Sequence, residues 1–230
     1  CQQNPPLKEE NRFIKPAEFE LQREFWTAWP HADHARGYSN TEVLLEMIMA
    51  IAPHQKVVLI VPNDSIKNHC YELFYELDIE SDSLDLIEFP YHEFWVRDMG
   101  PVFVKDQHGN EAILDFGFNA WGYAPEGHSD DALDRRIAGL LKLPVYQPGI
   151  ITESGNHEVN GKGTLILTKA VEVQRNPGKS LEELESIYRK YLGAENIIWI
   201  DEGLLEDRLS FEGPLPIGNK DSAYTVLTTG

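Results

Sequence analysis

The sequence predicts an α/β protein whose later part is an array of strand–strand–helix–strand (ββαβ) units. Helix-start signals, each followed by apolar residues at helical spacing, alternate with short β-branched or aromatic runs. From Val102 onward the order hairpin, helix, strand occurs twice. Its period is about 51–52 residues, from Gly109 to Gly161 between the turns and from Ser129 to Ser180 between the helix starts. Of the 230 residues, 42% are apolar and 25% charged, ordinary values for a chain that buries a core.

Phe25-Trp26-Thr27-Ala28-Trp29 reads as an apolar strand ended by Pro30. Ser39-Asn40-Thr41-Glu42 has the pattern of a capping box and opens a helix that Pro53 ends. Residues 56–61 form a buried strand. Asn63 caps a second helix, whose apolar face is Ile66, Cys70, Leu73, Phe74 and Leu77. Residues 84–89 are the next strand. Val102-Phe103-Val104 and 112–116 then make a hairpin about Gly109-Asn110. Ser129 starts a helix with Leu133, Ile137, Leu140 and Leu141 inward, and a strand follows near Val145. In the second unit, strands around Val159 and at 165–167 flank Gly161-Lys162-Gly163. Ser180-Leu181-Glu182-Glu183 is another capping box, and its helix buries Leu184, Ile187, Tyr188 and Tyr191. Gly193 ends that helix, and 196–200 is a strand.

The formal net charge of −18 argues against nucleic acid and against an anionic membrane surface, since both need clustered Lys and Arg. A cationic ligand would be drawn to such a field. The cysteines, Cys1 and Cys70, make no disulfide framework. No apolar run reaches the roughly 18 residues of a spanning helix, because Pro53-His54-Gln55-Lys56 interrupts the best candidate. Residues 1–15, beginning Cys1-Gln2-Gln3-Asn4-Pro5-Pro6, read as a flexible polar tether. A Cys start before a polar tether suits a bacterial lipoprotein, with lipid on Cys1 and an extracytoplasmic location, in preference to a cytoplasmic one. At the other end 224–227 read as a strand followed by Thr228-Thr229-Gly230. The expectation is therefore a partial domain over 16–230, truncated at the C-terminus, with homo-oligomerisation left open.

The densest polar–aromatic cluster is Phe94-Trp95-Val96-Arg97-Asp98-Met99-Gly100-Pro101, between two strands. A carboxylate beside an indole suits a planar cation, because the carboxylate accepts two N–H bonds while the ring covers a face. On pattern alone, a structural Arg97–Asp98 loop fits equally well. Phe118-Asn119-Ala120-Trp121-Gly122-Tyr123 is a second aromatic loop. Residues 153–164, beginning Glu153-Ser154-Gly155-Asn156-His157, form a third polar cluster.

Taken in order, these stretches resemble the agmatine deiminase family of guanidine-modifying enzymes. Pro16-Ala17-Glu18-Phe19-Glu20, Trp29-Pro30-His31, Arg175-Asn176-Pro177 and Ile198-Trp199-Ile200 join the resemblance, which runs from Pro16 to Gly230. It implies a five-bladed α/β propeller, the pentein fold, with about three of five units in this chain. It implies hydrolysis of agmatine to N-carbamoylputrescine and ammonia, without metal or cofactor. In that chemistry a cysteine thiolate attacks the guanidinium carbon, a histidine moves protons and two aspartates grip the guanidinium. By resemblance Asp98 is one of those aspartates and Trp95 a wall of the pocket. Trp121 and Asn119 stand at its rim, and Glu153 is a supporting carboxylate that holds Arg97. The chain departs from the family at Ser154, where glycine is usual, and at Asn160, where aspartate is common. The family's glycine–histidine–x–aspartate motif would start around Gly230 and its cysteine lies beyond, so the chain alone is expected to be inactive.

Gly127-His128-Ser129-Asp130 spells the same short motif but reads as a helix start. Cys70 lies on an inward helix stripe and reads as core. His31-Ala32-Asp33-His34 reads as a surface loop, lacking further ligands at metal spacing. Alternatives are a deiminase of free or peptidyl arginine and, outside enzymes, a non-catalytic lipoprotein that binds guanidino ligands.

Overall fold

The structure of the protein, a computed structural model, describes residues 12–30, 39–79, 81–122, 124, 127–201 and 203. Along the chain come β1 (Phe13–Ile14), β2 (Glu24–Ala28), α1 (Asn40–Ile51), β3 (Lys56–Val61), α2 (Asp64–Glu76), β4 (Leu84–Glu88) and α3 (Val96–Met99). After these come β5 (Val102–Asp106), β6 (Glu111–Leu114), α4 (Leu133–Leu141), β7 (Val145–Tyr146) and β8 (Glu158–Val159). The last elements are β9 (Thr164–Thr168), α5 (Lys169–Arg175), α6 (Leu181–Leu192) and β10 (Asn196–Ile200). They fall into two units, one of Leu21–Val96 and one of the residues up to Glu20 and from Arg97 onward.

In the Leu21–Val96 unit, β2, β3 and β4 form a wholly parallel sheet with β3 central. Val57 to Val61 are all buried, as expected of a parallel strand covered on both faces. The helices start where local caps dictate. Ser39 Oγ accepts the Glu42 N–H at 3.1 Å, and Asn63 Oδ1 accepts the Ile66 N–H at 3.0 Å. Cys70 packs with Ile48, Leu59 and Phe74 in this core, and burial pushes its thiol up to about 12. Cys70→Ala is therefore expected to cost stability, about 1 kcal/mol, and Cys70 should resist thiol reagents until the protein unfolds. Rapid labelling of the native protein would contradict this packing.

The other unit contains the repeat. β5 and β6 are an antiparallel hairpin, α4 follows, and β7 returns parallel to β6. β8 and β9 are antiparallel, α6 follows, and β10 returns parallel to β9. Leu114, Phe116, Leu165, Leu167, Leu184 and Tyr188 share one core. Ser180 and Glu183 make the reciprocal capping box of α6. Gly193 ends α6 at φ 70°, where a Cβ would lie 2.5 Å from the Phe13 carbonyl oxygen, so both backbone conformation and close approach require glycine.

The structure corrects the expected elements in several places. Phe13 and Ile14, assigned to the tether, form β1 against β5, and Phe13 is buried in the core. Two apolar residues in a polar stretch give too short a pattern to read locally. Leu140 and Leu141, expected inward, are 57% and 38% exposed. α4 ends at once in Lys142 with left-handed backbone, so its last turn leaves the core. α5 was not anticipated. Cys1, the His31–His34 motif and 224–227 lie outside the described residues. No helix among the described residues is long and apolar enough to cross a membrane.

Candidate active site

The candidate residue Asp98 lies in the unit from Arg97 onward. The carboxylate of Asp98 in α3 is 4% exposed. Its Oδ2 accepts the Trp121 indole N–H at 3.1 Å, and its Oδ1 has no partner among the described residues. Burial is the main reason its carboxyl is pushed up to about 6, and the neighbouring Glu153 adds to this. The Trp121 N–H, the Gly155 amide and the Arg97 guanidinium pull the other way. Asp98 is thus a buried carboxylate held by neutral donors, with one oxygen left over.

Trp121 is presented by an unusual turn. Ala120 and Trp121 lie at φ 50° and 56°, left-handed backbone that costs L residues about 1–2 kcal/mol each. Asn119 offsets this strain. It is buried, and its Oδ1 accepts the Gly122 N–H at 2.9 Å. Phe118 packs edge-on to the Trp121 ring at 5.4 Å. The Asn119 side chain therefore closes the loop that carries Trp121.

Glu153 is fully buried before the 3₁₀ turn Ser154–Asn156. Its Oε1 accepts the Arg175 Nε–H at 2.6 Å, while Glu153 Oε2 and Arg175 Nη2 have no partner among the described residues. Arg175 Nη1 also donates to Gln174. Asn176, beside it, brackets Ile151, accepting the Ile151 N–H at 2.9 Å and donating to the Ile151 carbonyl at 2.8 Å. The expectation that Glu153 holds Arg97 is corrected here. Arg97 makes a two-pronged pair with Glu18, the second contact at 3.1 Å. The Arg97 side chain is half-exposed on α3, whereas Glu153 is buried against Arg175 of α5, so each takes the partner its own surroundings deliver.

Trp95 belongs to the Leu21–Val96 unit, where it is 44% exposed and stacks on Phe94 at 4.6 Å. The turn at 127–130 is a helix start. His128 Nδ1 accepts the Asp130 N–H at 3.3 Å, so the capping atom comes from His128 rather than Ser129.

A buried network behind Glu153 went unread in the sequence. Glu172 Oε1 accepts from Thr152 Oγ1 at 2.7 Å and from Asn156 Nδ2 at 2.8 Å, and its Oε2 accepts from the Tyr188 hydroxyl. Burial pushes Glu172 up to about 7 against these donors. Thr152 Oγ1 lies 2.9 Å from His157 Nε2, and burial drives the His157 ring well below its ordinary range. One signal was available: Glu172 stands between Val171 and Val173, one turn before Arg175 and Asn176.

The model of the Porphyromonas-type peptidyl-arginine deiminase family matches residues 14–211. The agmatine deiminase of Pseudomonas putida is 31% identical over 207 residues, 85% of this chain and 54% of that protein. The agmatine deiminase of Ectopseudomonas mendocina is 32% identical over 206 residues, again 85% of this chain and 54% of that protein. A structure of the Enterococcus faecalis agmatine deiminase superposes with a TM-score of 0.72 at 28% identity, over 83% of this chain and 53% of that one. The chain spans about half the length of the curated relatives it matches.

Proposed function

The chain belongs to the Porphyromonas-type peptidyl-arginine deiminase family, and from that premise we propose that it supplies the guanidinium-gripping part of an agmatine-hydrolysing deiminase. The reaction adds water to the guanidinium carbon, releases ammonia and leaves N-carbamoylputrescine. We read its ββαβ units as part of a five-bladed propeller.

The observation that carries this reading is Asp98. A buried carboxylate bonded to no cation is costly. A guanidinium would neutralise it and donate to the unpartnered Oδ1. A guanidinium is also delocalised and a poor electrophile, so it must be held rigidly for attack. In this reading Asp98 takes guanidinium N–H bonds. Trp121 and Asn119 belong to the loop bounding the pocket, while Arg97 and Glu153 support it through Glu18 and Arg175. Cys70 is not the nucleophile, because its thiol is enclosed in the core of another unit and held neutral. The 230 residues alone should therefore release no ammonia.

The test is to measure ammonia and ureido product from the whole gene product with agmatine, free arginine and an arginyl peptide. Agmatine should be turned over in preference to both. Absence of ureido product from all three would overturn the reading, and turnover by the 230-residue chain that Cys70→Ala abolishes would overturn the exclusion of Cys70.

A further inference from the structure

We propose that Trp121 is a positioning residue for Asp98: its indole N–H sets the plane of the carboxylate and so leaves Oδ1 to the guanidinium. This rests on reading Asp98 as the guanidinium-binding group. Among the described residues the Trp121 indole is the one side-chain donor bonded to Asp98, on Oδ2 at 3.1 Å, and Oδ1 is buried without a partner. A carboxylate on a short side chain can rotate about its Cβ–Cγ bond, and a fixed donor on one oxygen removes that freedom. Guanidinium recognition needs that plane fixed, because the bonds are directional and paired.

The loop that brings the indole there is built for it. Ala120 and Trp121 both occupy left-handed backbone, which non-glycine residues avoid. Asn119 Oδ1 closes the turn on the Gly122 N–H, and the Phe118 ring backs the indole. Phe118 is anchored in turn, its N–H donating to Asp131 Oδ1 at 2.7 Å. A tryptophan held in strained backbone, with its only polar atom turned onto a buried carboxylate, is a costly arrangement for mere packing.

The groups that bear on the charge of Asp98 are Glu153, Arg97, the Gly155 amide and the Trp121 N–H. Glu153 and burial favour the protonated form, and the other three favour the ionised form. Deleting the indole N–H therefore pushes Asp98 further up, and cation binding is lost at a higher pH. A purely structural tryptophan would not shift this titration.

The experiment follows the Asp98 carboxyl carbon of the protein by NMR across the acid range. In the wild type the midpoint should fall at about 6, and the Trp121 indole N–H resonance should inflect with it. Trp121→Phe keeps a ring against Phe118 but has no N–H, and should raise the midpoint by about one pH unit. An unmoved midpoint in folded Trp121→Phe overturns the positioning role. If that variant does not fold, the wild type decides: an indole resonance that ignores the Asp98 titration overturns it equally. Agmatine should perturb both signals. If it perturbs neither while the midpoint still shifts in Trp121→Phe, the guanidinium reading falls, and with it the assignment of Oδ1, although the indole bond survives.

Discussion

Asp98→Asn is expected to remove guanidinium recognition and, at the same time, to stabilise the folded protein above about pH 6. The first effect follows from losing a charge-assisted bond pair, and should cost about 2–5 kcal/mol of transition-state binding, read as a fall in kcat/KM of the whole gene product. The second follows from linkage. In the folded state the Asp98 carboxyl is raised from 3.8 to about 6, so between those values the native state binds more protons than the unfolded state. Stability contributed by the protonated group is present below about pH 4 and is lost as pH rises through 6. The neutral amide of Asn does not incur the cost of a buried charge. The variant should therefore gain about 1–3 kcal/mol at pH 7 and nothing at pH 3.5. Denaturant unfolding at the two pH values checks this. Unchanged kcat/KM would remove Asp98 from the site, and a loss of stability at pH 7 would show that the carboxylate is already compensated within the fold.

Arg175→Met should be the most destabilising single change near the site. The Arg175 and Glu153 side chains are 0% and 1% exposed, and their bond is 2.6 Å. Removing the guanidinium strands a buried carboxylate, a loss of about 3–5 kcal/mol. Restoring neutrality with Glu153→Gln in the Arg175→Met background should recover part of it, so the two changes will be strongly non-additive. The midpoint of denaturant unfolding for the four members of the cycle gives the answer. A cost below about 1 kcal/mol for Arg175→Met would mean that Glu153 finds another partner or water. Because Asn176 brackets Ile151 from the same helix end, the damage should spread to the segment leading into Glu153.

Features whose partners lie within a turn were legible in the sequence. The Ser180–Glu183 box, the Asn63 cap and the Gly193 stop each link a side chain or backbone group to residues close in sequence, and all were found where expected. The inward stripe of α2 was equally readable at Cys70 and Phe74, because burial follows helical period. Leu140 and Leu141 show the limit of that rule. The period continues through them, but α4 stops there, and nothing local says that the core stops too.

Choice of partner across the chain was not legible. The resemblance paired Glu153 with Arg97, yet Glu153 meets Arg175, and Arg97 meets Glu18 at a separation of 79 residues. Likewise nothing in the run Phe118-Asn119-Ala120-Trp121 announces two consecutive left-handed residues, or an indole turned onto Asp98. Sequence by itself determined the α/β class, the ββαβ period, the starts of α1, α2 and α6 and the core place of Cys70. These depend on backbone chemistry and apolar spacing within a few residues. Only the tertiary structure decided which buried charges pair, which oxygen of Asp98 is left over and which strand Phe13 joins. Those outcomes are set by the low-dielectric interior, where a buried polar group takes whichever partner the packed elements bring within about 3 Å.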